Sequence, residues 1–286
     1  MKLPFAKMHG LGNDFMVLDL VSQPFMPAPE QITRWADRHT GVGFDQLLIV
    51  APPEDPDVDF RYRIFNADGT EVEQCGNGAR CVARFIEHVG LSVKSDIRFQ
   101  TSNGQIETRL LPDGQVEVDM GVPRLAPADI PCDESFAELV GEVGPGRRYR
   151  VTDADGNTHE LTTVSMGNPH GVIMVEDISA APVVEVGSLL TGHAFFPQRA
   201  NIGFCQMVDP GFIRVRVYER GVGETRACGT GACAAVVAGR LSGRLDERVK
   251  VSLAGGKARI RWPGPDTTIS LTGPATLVFE GMIEAD

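Results

Sequence analysis

The chain reads Cys75-Gly76-Asn77-Gly78-Ala79 in its first half and Cys228-Gly229-Thr230-Gly231-Ala232 in its second. A glutamate stands four residues before each cysteine, Glu71 in one half and Glu224 in the other. After each cysteine the pattern is helical, and residues 232–238 are apolar on every side. A helix without a polar face is a buried helix. The repeat therefore predicts two similar halves, each built around a helix that begins beside a cysteine.

Two strand-like runs lie upstream of the cysteines. Residues 58–65 and 212–218 alternate apolar with charged side chains over most of their length, which is the period of a half-buried strand. The runs end at Asn66 and Glu219, each nine residues before its cysteine. The order of strand, turn, cysteine and helix is therefore shared by the two halves.

Two more pairs of short segments lie further upstream. Gly43-Phe44-Asp45-Gln46 is similar to Gly203-Phe204-Cys205-Gln206, and Gly12-Asn13 is similar to Gly167-Asn168. Chance rarely repeats four elements in one order. We therefore predict that the paired segments occupy equivalent positions in the two halves.

The rest of the chain is rich in short strand-like runs, such as residues 115–120 and 249–253. We predict an α+β fold of two pseudo-symmetric lobes, each mainly antiparallel strands wrapped around a central helix, with the active site in the cleft between them. The expected boundary is the Pro-rich stretch from Pro123 to Pro131. The predicted lobes are residues 1–126 and 127–274.

Length, charge and the first residues restrict the class of protein. A chain of 286 residues suits two domains. A net charge of −11 and scattered basic residues argue against a nucleic-acid or anionic-membrane partner. Residues 1–7 lack the apolar core of a signal peptide, so we expect a cytoplasmic protein. The six cysteines are then expected to be thiols, and without a C-x-x-C pair they do not indicate a metal site.

Each pentapeptide places a thiol at or just before a helix N-terminus. Free backbone N–H groups and the positive end of the helix dipole lower a thiol pKa there from about 8.5 toward roughly 3.5–7.5. The same geometry favours a bound anion. We therefore expect the amides of Gly76, Asn77, Gly229 and Thr230 to hold a carboxylate.

Two such thiols suit the inversion of a stereocentre. Proton transfer with inversion needs a base on one face of the reacting carbon and an acid on the other. Cys75 and Cys228 would supply both without a cofactor, and the amides holding the carboxylate would stabilise the developing carbanion.

The other cysteines are predicted to be small buried side chains rather than reactive groups. They are Cys81, Cys132, Cys205 and Cys233. Residues 229–234 also match the dinucleotide fingerprint G-x-G-x-x-A. No alternation of strand and helix surrounds this match, so a nicotinamide-dependent oxidoreductase is not favoured.

Motifs along nearly the whole chain resemble, in order, those of diaminopimelate epimerases. They lie at residues 9–15, 43–46, 66–69, 73–80, 167–170, 201–204, 219–225 and 227–231. The resemblance implies interconversion of LL- and meso-2,6-diaminopimelate, an amino-acid substrate of lysine and peptidoglycan synthesis, with no pyridoxal phosphate, other cofactor or metal. It also implies a homodimer, and a last strand, residues 275–286, that returns to the first lobe.

The resemblance assigns roles to individual residues. Cys75 and Cys228 take the acid and base roles. His170 and Glu219 are expected to tune the two thiols, because an imidazolium favours a thiolate and a carboxylate disfavours one. Arg220 suits the distal carboxylate of the substrate, since its fork is planar and bidentate. The expected substrate-binding residues are Asn13, Gln46, Asn66, Gly76, Asn77, Asn168, Asn201, Glu219, Arg220, Gly229 and Thr230.

Two alternatives stay open. A proline or hydroxyproline racemase shares the two-cysteine chemistry, although Glu219, Arg220 and the asparagines favour a substrate with a charged distal end. A non-catalytic ligand-binding protein could keep the same fold, but the retention of both cysteines argues against it.

Overall fold

The chain folds into two compact units. A computed structural model describes three stretches of the chain, residues 1–72, 76–102 and 104–285. The first unit is Met1–Asp119 with Thr272–Asp286, and the second is Met120–Leu271. In the described part of the chain, no helix has the length and hydropathy needed to span a membrane.

The first unit wraps strands around the helix α2. Its elements up to residue 119 are β1 (Lys2–Gly10), β2 (Asn13–Asp19), α1 (Pro29–Ala36), β3 (Gln46–Ala51), β4 (Phe60–Asn66), β5 (Glu71–Val72), α2 (Gly76–His88), β6 (Asp96–Thr101), β7 (Gly104–Leu110) and β8 (Val116–Asp119). β3 pairs with β2 in parallel and with β4 antiparallel. β4 also pairs antiparallel with β5 and in parallel with β6. α2 packs against β1, β7 and β8.

The second unit repeats this order around α4. Its elements are β9 (Glu138–Val143), β10 (Gly146–Thr152), β11 (Thr158–Ser165), β12 (Pro169–Met174), α3 (Val183–Thr191), β13 (Asn201–Asp209), β14 (Phe212–Glu219), β15 (Gly223–Thr225), α4 (Gly229–Leu241), β16 (Arg248–Leu253), β17 (Gly256–Arg261) and β18 (Ser270–Gly273), which crosses the change of unit. β13 pairs in parallel with β12 and antiparallel with β14. β14 pairs antiparallel with β15 and in parallel with β16. The predicted α+β repeat is confirmed.

The last strand, β19 (Thr276–Glu284), belongs to the first unit. It runs antiparallel to β1, with Lys2 opposite Glu284 and His9 opposite Thr276. The N-terminal and C-terminal strands of the chain therefore lie side by side.

The boundaries between the two units lie at different residues from those predicted. Residues 120–126 belong to the second unit. Met120 N donates to Ile269 O at 2.9 Å, and Arg124 and Ser165 exchange two backbone hydrogen bonds of 2.9 Å. These bonds hold residues 120–124 to the second unit. The later change falls between Leu271 and Thr272 rather than after residue 274.

Strand register identifies the equivalent positions of the two halves. Phe15 of β2 lies opposite Gln46 of β3, and His170 of β12 lies opposite Asn201 of β13. Phe15 and His170 each follow the asparagine of a Gly-Asn pair by two residues. Gln46 and Asn201 are therefore equivalent.

The predicted match of Gly43–Gln46 with Gly203–Gln206 is wrong. Gln206 lies further along β13, opposite Arg214 of β14, and its side-chain amide donates to Glu176 O at 2.7 Å. The register of a strand is set by its hydrogen bonds with neighbouring strands. A similarity of four residues along the chain does not predict that register.

The helix predictions are confirmed. Residues 231–239 of α4 are all buried, as an all-apolar helix requires. α2 is amphipathic, and its buried side includes Cys81 and Phe85. Each helix is the centre of a unit whose strands cover it.

Candidate active site

In the first unit the predicted polar residues lie at strand ends on one side of the unit. β2 begins at Asn13 and β3 at Gln46, while the antiparallel β4 ends at Asn66. The Gln46 side chain donates from Nε2 to Asn66 Oδ1 at 3.1 Å. Asn77, in the first turn of α2, donates from Nδ2 to Asn13 Oδ1 at 3.4 Å. The described site side chains of this half therefore form two hydrogen-bonded pairs, and Gly76 begins the same helix as Asn77.

Asn13 is set in place by a turn and by Asp45. The β1–β2 hairpin pairs Gly10 with Asn13, so Leu11 and Gly12 form a two-residue loop with φ of +57° and +83°. Such loops need positive φ at both positions, which is unfavourable for leucine. The Asn13 amide also donates to Asp45 Oδ2 at 2.9 Å. These contacts orient the Asn13 oxygen toward α2.

A charged network beneath Asn13 was not predicted. Arg38 donates to both carboxylate oxygens of Asp14, at 3.0 and 2.7 Å, and Lys7 Nζ lies 2.5 Å from Asp14 Oδ2. Burial alone would raise the pKa of Asp14, but the hydrogen bonds and charges of Arg38 and Lys7 hold it well below its usual value. The sequence signal was weak, because Lys7 and Arg38 lie in different elements.

In the second unit the predicted residues also gather at one end. Asn168, just before β12, donates from Nδ2 to Thr230 Oγ1 at 3.4 Å. Asn201, the first residue of β13, accepts the backbone N–H of Arg220 at 2.9 Å. The Arg220 guanidinium donates to Gln198 O at 2.9 Å. Glu219 ends β14 and Gly229 begins α4, so this end matches that of the first unit.

Cys228 is the N-cap of α4, as predicted. Its sulfur accepts the Gly231 N–H at 3.4 Å and lies 3.5 Å from Thr230 Oγ1. The Glu219 carboxyl is a neighbour of this thiol, close enough for each group to shift the pKa of the other. The helix start therefore presents the sulfur to a carboxyl group as well as to backbone amides. Cys75 lies outside the described residues.

The predicted lowering of the thiol pKa is wrong for Cys228. Burial raises the pKa of Cys228 well above its usual value, and the neighbouring Glu219 raises it further. The hydrogen bonds from Thr230 and Gly231 act in the other direction and are outweighed. Burial also raises the pKa of Glu219. The resting form that this environment favours for Cys228 is the neutral thiol.

His170 is a neutral, fully buried imidazole. Burial, together with the charge of Arg220, lowers the pKa of His170 to about 3. Its Nε2 lies 3.1 Å from Asn168 Oδ1, and among the described residues its Nδ1 has no hydrogen-bond partner. The imidazolium expected from the sequence is therefore not the form favoured at neutral pH.

The second glycine of each pentapeptide permits a close approach of helix and strand. A Cβ added at Gly78 would lie 2.2 Å from Tyr62 Oη, and one added at Gly231 would lie 2.7 Å from Val217 Cγ2. Tyr62 is on β4 and Val217 on β14, so each helix start packs closely against the equivalent strand of its own unit. These two glycines are therefore required by packing.

The glutamate four residues before each cysteine forms an ion pair with the preceding strand. Arg63 donates to Glu71 at 2.7 and 2.8 Å, and Arg216 donates to Glu224 at 2.7 and 2.9 Å. Each pair ties the short strand that leads to a cysteine onto its neighbour. The signal was present in the sequence, since Arg63 and Arg216 precede Asn66 and Glu219 by the same interval.

The cysteines predicted to be structural are packed into the interior of the described structure. Cys81, Cys205 and Cys233 are buried, and Cys132 is half-buried against the core of the second unit. Burial raises the pKa of Cys205 to about 12 and that of Cys132 to about 11. Their thiols are therefore held in the unreactive protonated form.

Known proteins with similar sequences span the whole chain. A diaminopimelate epimerase of Pseudomonas paraeruginosa is 57% identical over 283 residues, covering 99% of both chains, and one of Azotobacter vinelandii is 56% identical with the same coverage. The family model for diaminopimelate epimerase matches residues 5–126 and 162–278. The chain belongs to the diaminopimelate epimerase family.

The fold is shared more widely than the family. The crystal structure of a hydroxyproline epimerase from Agrobacterium vitis, with bound trans-4-OH-L-proline, aligns with a TM-score of 0.70 at 14% identity, covering 99% of this chain and 92% of that one. At 14% sequence identity, the structural similarity between the two proteins shows a shared fold and nothing about activity. Membership of the diaminopimelate epimerase family therefore favours the predicted activity over the proline racemase alternative.

Proposed function

We propose that this chain converts LL-2,6-diaminopimelate into meso-2,6-diaminopimelate with Cys75 and Cys228 as its two proton carriers. The observation that carries this proposal is Cys228 at the start of α4, beside Glu219, in a chain of this family. The reaction needs neither cofactor nor metal, because the thiols and the helix amides supply the proton transfers and the stabilisation of charge.

Substrate binding is proposed to use the ends of the two central helices. The amides of Gly76 and Asn77 and those of Gly229 and Thr230 favour a carboxylate, since the first N–H groups of a helix have no partner within it. Gln46 supports an amino-acid ligand, because its buried Oε1 has no hydrogen-bond partner among the described residues and suits an ammonium donor.

The distal end of the substrate is assigned to polar side chains. Arg220 would take the distal carboxylate, and Asn66, Asn168 and Asn201 would contribute amide contacts, with Asn13 completing the set. Glu219 is assigned to tune Cys228, and its carboxyl also suits a nearby ammonium. His170 is assigned a role as a neutral imidazole, because its Nδ1 has no hydrogen-bond partner among the residues that the structure describes.

The proton transfers follow from the pKa of Cys228. The buried thiol beside Glu219 keeps its proton, which makes Cys228 the donor when Cys75 acts as the base. The α-C–H bond breaks as an S–H bond forms at Cys75, and the S–H bond of Cys228 breaks as a new C–H bond forms on the opposite face. The reverse reaction exchanges the two roles.

The setting is proposed to be the cytoplasm, where both thiols stay reduced. A homodimer remains a prediction, which analytical ultracentrifugation would test directly.

The decisive experiment is turnover of LL-diaminopimelate in deuterium oxide. The product should carry deuterium at the inverted α-carbon, and activity should survive dialysis against a chelator. Cys75→Ser and Cys228→Ser should each abolish epimerisation, whereas Cys132→Ser, at a cysteine outside the site, should keep it. Near-normal turnover in either of the first two variants contradicts the two-base reaction. Racemisation of L-proline without turnover of diaminopimelate would support the alternative.

A further inference from the structure

The hairpin of β14 and β15 supplies a second donor to the carboxyl beside Cys228. Val217 lies opposite Thr225 in this hairpin, and Glu219 lies opposite Gly223. Side chains at alternate positions of a strand share a face, so Val217 and Glu219 point to the same side as Thr225. The Thr225 hydroxyl donates a hydrogen bond to Glu219 Oε1.

The two contacts of Glu219 lie on different elements. Thr225 approaches it from β15, and the Cys228 thiol approaches it from α4. A hydroxyl has one hydrogen to donate, and here it is used on the carboxylate. The neighbouring Arg220 directs its guanidinium to Gln198 O and its backbone N–H to Asn201. Thr225 is therefore the side chain that fixes the carboxylate from the strand side.

The first unit provides a natural comparison. Val72 of β5 lies opposite Ile64, just as Thr225 lies opposite Val217. The residue equivalent to Glu219 is Asn66, which carries no charge. This position of the short strand is therefore valine in the unit that has Asn66, and threonine in the unit that has the carboxylic acid Glu219. The hydroxyl is consequently not a requirement of the strand itself.

We propose that Thr225 is a positioning residue, whose hydroxyl holds the Glu219 carboxylate in its orientation beside the Cys228 thiol. The role rests on the proposed function, because Cys228 is the proton carrier that Glu219 serves. Loss of the hydroxyl leaves the carboxylate with one fewer donor, which disfavours its charged form and frees it to rotate.

The test compares Thr225→Val, which keeps the shape and removes the donor, with Thr225→Ser, which keeps the donor. The first readout needs no substrate: the titration of the Glu219 carboxyl followed by NMR with carboxyl-labelled glutamate, assigned with Glu219→Gln. Thr225→Val should raise the midpoint by about one pH unit, and Thr225→Ser should leave it within a few tenths. An unchanged midpoint in Thr225→Val, or equal shifts in both variants, overturns the proposal.

The second readout is epimerisation. Thr225→Val should lower kcat about 10-fold with a smaller change in KM, and it should move the acidic limb of the pH profile upward, while Thr225→Ser restores the parent behaviour. A parent profile in Thr225→Val overturns the positioning role. If the parent protein does not turn over diaminopimelate but the NMR midpoints shift as expected, the proposed function fails and the Thr225–Glu219 contact stands.

Discussion

Replacement of Gly78 by alanine should disturb both the stability of the protein and the start of α2. The added Cβ would lie 2.2 Å from Tyr62 Oη and 3.1 Å from a methyl carbon of Leu48. The optimal separation of two non-bonded heavy atoms is about 3.5 Å. The helix start or the tyrosine therefore has to move by roughly 1 Å. Overpacking of this kind costs about 1–3 kcal/mol, or roughly 2–4 °C in Tm for each kcal/mol.

The same shift should affect turnover. The first turn of α2 carries the Gly76 and Asn77 amides, and a displacement of about 1 Å at a reacting group can cost on the order of 100-fold in rate. We therefore expect Gly78→Ala to lose activity together with stability. Urea unfolding and the rate of epimerisation measure the two effects.

A second substitution isolates the cause. Tyr62→Phe removes the oxygen that the new methyl group meets, so the double variant Tyr62→Phe/Gly78→Ala should recover most of the lost stability relative to Tyr62→Phe alone. Gly192→Ala is the matched control, since a Cβ there meets nothing within 4 Å, and it should stay within about 0.5 kcal/mol of the parent. Gly78→Ala with parental stability, or a strictly additive double variant, would refute the steric explanation.

Two further predictions concern charged groups. Because the pKa of Asp14 is held below its usual 3.8 by Arg38 and Lys7, its contribution to stability is present above that pH and disappears as the pH falls through the lowered value. The unfolding free energy of Asp14→Asn, from urea titrations between about pH 2 and 7, should consequently fall less steeply in acid than that of the parent; parallel curves would contradict this. Arg216→Gln, Glu224→Gln and the double variant should show a coupling of about 1 kcal/mol in the unfolding free energy, because the pair is bidentate and partly buried. If the effects of the two single substitutions simply add in the double variant, the ion pair contributes nothing to the unfolding free energy.

Much of the fold follows from local patterns in the sequence. The alternation in residues 58–65 and 212–218 predicts β4 and β14, and the all-apolar run 232–238 predicts the buried helix α4. These predictions succeed because the period of apolar residues reflects which side of an element is covered. The place of Cys228 at a helix start follows from the pentapeptide in the same way.

The register and the electrostatics of the site could not be obtained this way. Gln46 and Asn201 became equivalent only through the pairing of β2 with β3 and of β12 with β13. The raised pKa of Cys228 depends on burial produced by residues distant in the chain. A helix N-terminus alone favours a thiolate, and the sequence does not reveal that Glu219 and the surrounding core reverse this preference.

The pairing of β1 with β19 also bears on the order in which the protein forms during synthesis. The second unit is one uninterrupted stretch of chain, so its strands are complete once β18, which ends at Gly273, has left the ribosome. The first unit emerges earlier, yet β1 must wait for β19, which is translated after the second unit. Domains fold as their residues become available. The second unit should therefore reach its complete fold first, while the first unit stays unpaired at the edge of β1 until β19 has been translated.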